Sequence, residues 1–414
     1  MEMTEAQKKV VYSTIFLLGV VAIAFLLWYV FFRKPVSDVI IAENVNVVTG
    51  LPNINDLLQN ININVNGEPV NEDPTLPGVD RVARGGLTDT DVLTPGVNAL
   101  DPVVDGDGSS MRFYNPDDNK FYRVDGEGNI SQIGSAEFPD VESISWGNTT
   151  DEVILEFPDG SNVYYDLKSG RQVTLPKEAT EFDFSPTDSQ ISFKYLHTDK
   201  ERRVLAVANP DGTGARTLES LGQNEGNVTV EWSPTGKVAA HYSEFVDLYR
   251  QELGFVGLKG ENFKGTVVEG RGLRTEYAPN GEQMLYSVYS NATDNKASLW
   301  VVDADGNDIG KNRKELEVNT FANKCGFSSS SQYVYCGVPQ DAKSGFGLVP
   351  ELLDGVPDDI YRIDTKTGLK SKIATPVNDA GNNDYQVQSL TVSDDGKYLI
   401  FQDASGELIK VSLQ

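Results

Sequence analysis

Short segments of alternating apolar and polar residues, separated by polar turns, are the dominant pattern of the chain. The stretch Phe184–Phe193 shows it well. An aromatic residue ends one apolar segment, a Ser-Pro turn follows, and alternating apolar residues resume at Ile191. Alternation with a period of two is typical of strands with one buried face, and turn residues between two such segments indicate a hairpin. The pattern therefore predicts an antiparallel β-hairpin.

The same hairpin recurs along most of the chain, with clear copies at Trp232-Ser233-Pro234 and Tyr277-Ala278-Pro279 and looser ones at Trp146, Phe327 and Val392. The copies lie roughly 40–65 residues apart, which is typical of propeller blades with variable loops. A second hairpin follows in most copies, so each copy predicts four short antiparallel strands. The segment Glu244–Leu253 fits either a helix or a loop inserted in a hairpin.

The number of blades depends on the two ends of this repeat region. Six copies contain the first hairpin, and Met111–Ile133 offers a further copy without its innermost strand, while the last copy ends at Gln414 without an outermost strand. Sheets of this size stack around an axis to bury their faces. We predict an all-β propeller of seven four-stranded antiparallel blades, closed by pairing between the chain ends, with Asn98–Val104 as the candidate closing segment. Six blades is the alternative.

An uncharged apolar segment at residues 10–32 predicts a transmembrane helix, because about 20 apolar helical residues cross a bilayer core. Arg33-Lys34-Pro35 follows instead of a small-residue cleavage site, which favours an uncleaved anchor over a signal peptide. Two basic residues flank the segment on each side, so the charge distribution does not determine the orientation of the helix in the membrane. The short tail at residues 1–9 favours a cytoplasmic N-terminus, with the repeat domain in the periplasm or at the cell surface.

Residues 33–110 differ in composition from the repeats. They are rich in Asn, Asp, Pro and Gly, as in Asn60–Asn66. Such a sequence buries too little apolar area to offset the entropy of ordering it. We predict a flexible tether over residues 33–110 and the propeller domain over residues 111–414.

The amino-acid composition argues against some classes of partner and cofactor. Asp and Glu number 61 against 35 Lys and Arg, a net charge of −26, which repels nucleic acid. The only histidines, His197 and His241, cannot build a multi-histidine metal site, and structural roles are predicted for both. The turn Asp303–Asp308 hints at calcium, yet it lacks the bidentate Glu at loop position twelve, so we predict a plain turn and no cofactor.

Cys325 and Cys336 are equidistant from the predicted turn at Ser330-Ser331. An ordinary hairpin register therefore places them directly opposite each other, although only some cross-strand geometries bring two sulfurs close enough to bond. We predict a disulfide, with two packed free thiols as the alternative. A disulfide implies an oxidising compartment.

The repeated aromatic-Ser-Pro-x-Gly pattern resembles the TolB-like family of WD-type propeller repeats. Its residues are Phe184-Ser185-Pro186, Trp232–Gly236, Tyr277–Gly281 and Ser393–Gly396. The resemblance covers residues 111–414 and also extends to the propeller domains of dipeptidyl-peptidase-IV-like proteins. It implies a propeller and a partner-binding role in a bacterial envelope. The peptidases add a hydrolase domain with a Gly-x-Ser-x-Gly motif, which this sequence lacks.

An acidic residue precedes the repeat aromatic in three successive copies, as Asp183, Glu231 and Glu276. Equivalent positions on innermost strands lie near a propeller's central channel, so these residues predict an arc of carboxylates that binds a cation or a basic side chain. We favour structural ion pairing over such a ligand site, with Arg274 the nearest partner in sequence.

The insertion Pro339–Asp359 is too long for the repeat. Because binding residues concentrate on loops held by a rigid scaffold, it is the best candidate region for contact with a partner, and the alternative is a tolerated surface loop. Its candidate contact residues are Phe346, Leu348, Val349, Leu352 and Leu353.

Together these features predict a membrane-tethered, non-enzymatic scaffold that binds an envelope protein or a surface glycan. The alternative is a carbohydrate-active hydrolase or lyase with its site at the channel mouth, which needs a convergent acid and base.

Overall fold

The structure, a computed structural model, describes residues 79–261 and 263–414. Over these ranges the chain forms seven sheets, six of four strands and one of five. This confirms the predicted all-β propeller of seven four-stranded antiparallel blades and excludes six. Within the described ranges no helix is long and apolar enough to cross a membrane. The predicted span at residues 10–32 and the tether up to residue 78 lie outside them.

Two short strands precede the first blade, β1 (Leu87–Asp89) and β2 (Asp91–Val92). Blades 1 to 3 contain β3 (Leu100–Val104), β4 (Met111–Asn115), β5 (Lys120–Val124), β6 (Ile130–Ile133), β7 (Ser143–Trp146), β8 (Glu152–Glu156), β9 (Asn162–Asp166), β10 (Gln172–Leu175), β11 (Ala179–Phe184), β12 (Ile191–Tyr195), β13 (Val204–Ala208) and β14 (Arg216–Ser220). In each blade the first strand is innermost.

Blades 4 and 5 contain β15 (Val228–Val230), β16 (Val238–Phe245), β17 (Arg250–Gly257), β18 (Thr266–Glu269), β19 (Arg271–Tyr277), β20 (Gln283–Tyr289), β21 (Ala297–Asp303) and β22 (Lys314–Glu315). Blades 6 and 7 contain β23 (Cys325–Phe327), β24 (Tyr333–Pro339), β25 (Asp358–Asp364), β26 (Lys370–Val377), β27 (Val387–Val392), β28 (Tyr398–Asp403) and β29 (Leu408–Ser412). Short 3₁₀ segments lie at Lys200–Arg202, Glu225–Asn227, Asn291–Thr293, Gly306–Asp308, Ala322–Lys324 and Pro350–Leu353.

The repeat turn is explained by its serine. In four copies the serine hydroxyl accepts a hydrogen bond from the backbone N–H five residues later, at 3.1–3.2 Å, in Ser185, Ser233, Ser328 and Ser393. Three residues after each serine the backbone φ is positive. Gly236 and Gly396 fill this position without strain in two copies.

The other two copies place a side chain at that position and use it to hold the preceding blade. Asp188, with φ of 54°, accepts hydrogen bonds from the backbone N–H groups of Asn148, Thr149 and Thr150 at 2.7, 2.7 and 3.0 Å. Ser331 accepts one from the backbone of blade 5 at 3.2 Å. Where this turn position is not a glycine, its side chain therefore bonds one blade to the preceding one.

The repeat aromatics fill the spaces between neighbouring blades. Trp146 packs with Phe121 of blade 1, and Phe184 packs with Ile154 of blade 2. Each is at most 7% exposed. Repetition of the aromatic therefore explains how the blades stack.

Closure involves a different segment from the one predicted. Asn98–Val104 does contain a strand, but β3 pairs with β4 and completes blade 1. The outermost strand of blade 7 is β2, in which Asp91 pairs with Lys410 of β29. The parallel strand β1 adds a fifth strand to blade 6. The predicted start of the propeller at Met111 is therefore wrong, because three paired strands precede it.

The cysteines lie where the hairpin register places them. Cys325 of β23 is directly opposite Cys336 of β24, and the two form a disulfide. Both are buried between blades 5 and 6. Nearby, the Lys324 ammonium contacts both carboxylate oxygens of fully buried Asp358 at 2.7 Å, and Asp358 also accepts from the Val387 N–H of blade 7.

Candidate functional sites

The three predicted carboxylates lie on, or directly after, the innermost strands of blades 3, 4 and 5. Asp183 is in β11, Glu231 follows β15, and Glu276 is in β19. Asp183 accepts a hydrogen bond from the backbone N–H of Trp232 at 2.6 Å. Glu231 accepts one from the Thr275 hydroxyl at 3.2 Å. Two of the three thus bond to the following blade.

The predicted ion pairing in which Arg274 neutralises these groups is wrong. Its guanidinium lies 3.9 Å from the centroid of the Phe321 ring and donates to the Asn323 side chain at 3.1 Å. Within the described ranges, no Lys or Arg forms an ion pair with Asp183, Glu231 or Glu276. The carboxylates are left without compensating charge.

A histidine lies beside Glu231. The His241 Nδ1 is 3.3 Å from the Glu231 carboxylate, and its Nε2 is 3.2 Å from the Thr275 hydroxyl. His241 is only 4% exposed, and burial lowers its pKa to about 4, so the ring is neutral. The sequence could not reveal this contact, because His241 reaches Glu231 only across the β15–β16 pair.

Confinement raises the pKa of all three carboxyls. All three residues are half-buried, and the Glu231 side chain is 27% exposed. Desolvation raises the pKa of Asp183 to about 7 and that of Glu276 to about 7. For Glu231, desolvation and then the nearby charges of Glu276 and Asp183 raise the pKa to about 8.

A cavity of about 460 Å³ opens beside Glu276. Its walls come from the innermost strands of blades 1, 5, 6 and 7 and from repeat turns, so it lies at the channel mouth on the face that carries those turns. We call this face the turn face. The cavity is lined by Val104, Glu276, Tyr277, Pro279, Gly326, Phe327, Ser329, Leu390, Thr391, Val392 and Asp394.

The insertion between β24 and β25 is only partly accessible. Phe346 is fully buried and packs edge-on against Phe321 at 5.4 Å, so it anchors the insertion and does not face a partner. Leu353 packs against the same cluster. Leu348 is 56% exposed, and Val349 and Leu352 are also exposed.

The hairpin β16–β17 carries a second apolar projection that the sequence reading missed. Phe245, Val246, Leu248 and Tyr249 at its tip are all exposed, Leu248 by 73%. Both strands have eight residues, and β15 pairs only with the part of β16 up to Tyr242, so the tip extends beyond the innermost strand, while β18 pairs with β17 as far as Arg250. Of the two interpretations of Glu244–Leu253, the helix is wrong. In the sequence, the apolar residues on both sides of Asp247 were the signal that could have indicated this projection.

Both projections lie on one face of the ring. Each connects the second and third strands of its blade, and antiparallel order places these connections opposite the repeat turns. Gly270 donates a backbone hydrogen bond to Tyr249 at 2.7 Å, and a Cβ on nearby Gly272 would lie 3.7 Å from the Gly347 carbonyl oxygen. We call this the hairpin face, defined by Phe245, Val246, Leu248, Tyr249, Leu348, Val349 and Leu352.

The other polar candidates have local partners. In the turn Asp303–Asp308 the three carboxylates contact Asn312, Lys237 and Lys311 separately. His197 accepts a hydrogen bond from the Asp199 N–H at 2.9 Å. Among the described residues no three His, Cys, Asp or Glu side chains converge as metal ligands.

Comparisons with known proteins support the fold. No family model and no curated protein matches the sequence. The β-propeller domain of Swd1 from Myceliophteria thermophila is similar with a TM-score of 0.52 and 11% identity, covering 78% of this chain and 100% of that one. Hydrazine synthase of Kuenenia stuttgartiensis has a TM-score of 0.49 and 12% identity, covering 77% of this chain and 97% of that one. An oligogalacturonate lyase in complex with manganese has a TM-score of 0.38 and 12% identity, covering 78% of this chain and 79% of that one. At 11% identity the likeness to the Swd1 domain shows a propeller fold alone.

Proposed function

We propose that the chain is a non-enzymatic binding module that recognises a partner protein through the hairpin face. The observation that carries this proposal is the exposure of large apolar side chains at the tips of two projections on one face. Single exposed apolar residues are ordinary, whereas clusters at projecting positions mark interaction sites. The rigid ring would hold both projections in a fixed arrangement.

The charge at the base of the hairpin indicates the chemistry of that partner. Glu244 lies directly opposite Glu252, and both are exposed. Like charges at opposed positions destabilise a strand pair. Neither carboxylate has an ion-pair partner in the part of the chain that the structure describes. A partner with an apolar recess and basic residues on its rim would bury the tip and relieve the repulsion.

A protein fits this face better than a glycan. Its side chains are mainly aliphatic and carry few hydrogen-bonding groups between them, as at Leu248, Leu348 and Val349. Protein interfaces combine an apolar centre with a polar rim. A hydrated sugar would leave its hydroxyl groups unsatisfied against such a surface.

The proposal includes an envelope location. The apolar segment at residues 10–32 would anchor the chain in the membrane, and the intervening residues would set the reach of the propeller. The Cys325–Cys336 disulfide supports a domain outside the cytoplasm, because disulfides persist in oxidising compartments.

Site-specific photo-cross-linking in the native host tests the proposal. The photoreactive residue p-benzoyl-phenylalanine replaces Leu248 or Leu348, and Leu369 serves as the control. Leu369 is 74% exposed and lies between β25 and β26 on the turn face. We expect one discrete protein adduct at the first two positions and none at Leu369. Adducts at all three, or at none, would contradict the proposal.

A second candidate function is catalysis at the channel mouth. The observation that favours it is the cavity lined by Glu276, and burial raises the pKa of Asp183, Glu231 and Glu276 into the range suited to a general acid at neutral pH. Turnover of any member of a glycan panel, abolished by Glu276→Gln, would establish it. Absence of turnover across the panel leaves the binding module as the function.

A further inference from the structure

The channel mouth on the turn face has the size and lining of a ligand site. Its volume of about 460 Å³ falls within the usual range for small-ligand pockets, roughly 300–1,000 Å³. Val104, Phe327, Leu390 and Val392 supply apolar walls. Such walls suit the hydrocarbon part of a ligand.

The charge of the cavity has one sign. Glu276 and Asp394 both line it, and no Lys, Arg or His does. Within residues 79–261 and 263–414, the Glu276 carboxylate has neither a hydrogen-bond donor nor an ion-pair partner. Its counterparts Asp183 and Glu231 are each bonded to the following blade. In blade 6 the position equivalent to Glu276 is Gly326, where a Cβ would lie only 2.3 Å from the Leu390 carbonyl oxygen, so the carboxylate is not repeated there.

A second observation concerns the residues that lie behind Glu276 in the cavity wall. His241 is nine-tenths buried, and its Nδ1 has no hydrogen-bond partner although it points toward the Glu231 carboxylate at 3.3 Å. Thr275 links His241 and Glu231 and directly precedes Glu276. The wall beside Glu276 therefore contains the Glu231 carboxyl and the neutral His241 ring, whose Nδ1 is the unsatisfied buried nitrogen. The guanidinium of Arg274, two residues before Glu276, lies against the Phe321 ring instead.

We propose that this cavity binds an alkylammonium group, with Glu276 as the principal carboxylate partner and Glu231 as a second negative group behind it. The ammonium donates to the Glu276 oxygens, and its alkyl chain lies against Phe327 and Leu390. The ligand is either the side chain of a lysine in a polypeptide or a free small amine. A bare metal ion fits less well, because no three ligating side chains converge in the described ranges.

The site is independent of the proposed protein-binding surface. It opens on the turn face, whereas Leu248 and Leu348 lie on the hairpin face. Failure of one proposal therefore leaves the other standing.

Isothermal titration of the full-length chain at pH 8 tests the site. The probes are N-acetyl-lysine amide, n-pentylamine, 1-pentanol and calcium chloride. We expect the two amines to bind and pentanol not to bind. Tighter binding of the lysine amide would identify a polypeptide side chain as the ligand, and equal binding would identify a free amine. Each of these results supports the site.

Matched variants locate the binding. Glu276→Gln should weaken amine binding at least tenfold, because a charge-assisted hydrogen bond is lost. Glu282→Gln, at an exposed carboxylate in the adjacent repeat turn, should leave it unchanged. Thermal melts verify that both variants fold.

Repeating the titration in two buffers of different ionisation enthalpy measures the protons released on binding and needs no variant. Amine binding should release protons, since the cation favours the ionised carboxylates. No binding to the wild-type chain, equal binding to Glu276→Gln, or displacement of the amines by calcium would overturn the proposal.

Discussion

Breaking the Cys325–Cys336 disulfide should destabilise the propeller by an amount that its loop length predicts. The cysteines are 11 residues apart, and a closed loop of that length removes about 3 kcal/mol of unfolded-state entropy. Unfolding roughly 335 residues carries an entropy of about 0.7 kcal/mol per kelvin. The melting temperature should therefore fall by about 4 °C.

Calorimetry of the oxidised and reduced wild-type chain measures this effect without any substitution. The double variant Cys325→Ala with Cys336→Ala is the control, and its melting temperature should not respond to reductant. Alkylation of the denatured chain followed by intact-mass measurement reports the bond itself. Two alkylated thiols in the absence of reductant, or an unchanged melting temperature after verified reduction, would refute the reasoning.

Three further predictions concern ties between blades and the channel. Asp188→Asn keeps the side-chain shape and tolerates the positive φ, but it weakens the bonds to three backbone amides, so urea denaturation should show a loss of about 2 kcal/mol. Lys324→Met should cost about 3 kcal/mol or more because it leaves the Asp358 carboxylate buried without its partner, and adding Asp358→Asn should recover most of this loss. The raised pKa values of Glu231 and Glu276, about 8 and 7, mean that the folded chain holds protons that the unfolded chain releases. The contribution of these two groups to stability should therefore be fully present below their unfolded pKa of 4.5 and should be lost as the pH rises toward 8, so the free energy of unfolding should fall less over this range in the double variant Glu231→Gln with Glu276→Gln than in the wild-type chain.

The sequence predicted the architecture because the blade is a local pattern. Alternation, the Ser-Pro turn and the repeat aromatic lie within a few residues of each other, and each acts in its own blade or the next. The opposed positions of Cys325 and Cys336 follow from one turn for the same reason. The repeats and their complementary ends favoured seven blades and left six as the alternative.

Closure and the channel depend on contacts that are distant in sequence. The choice of Asp91–Val92 as the last outer strand depends on which short segment reaches β29, since Asn98–Val104 had an equally strand-like pattern. The position of Arg274 against Phe321 depends on the 3₁₀ segment Ala322–Lys324, which repeat spacing cannot place.

The two apolar projections show the same limit at the level of single side chains. An apolar residue in a loop can anchor the loop or face a partner, and its type does not distinguish the two. Phe346 is buried against Phe321, while Leu348, two residues later, is exposed. Only the packing of blade 5 beneath the insertion separates their roles.

The most direct test of the account is the affinity of the cross-linked partner for variants of the two faces. Leu248→Ser and Leu348→Ser should each weaken binding of the purified partner at least tenfold, equivalent to about 1.4 kcal/mol. Leu369→Ser, at an equally exposed leucine of the turn face, should bind as the wild-type chain does. Equal affinity of all three variants would contradict the assignment of the hairpin face as the binding surface.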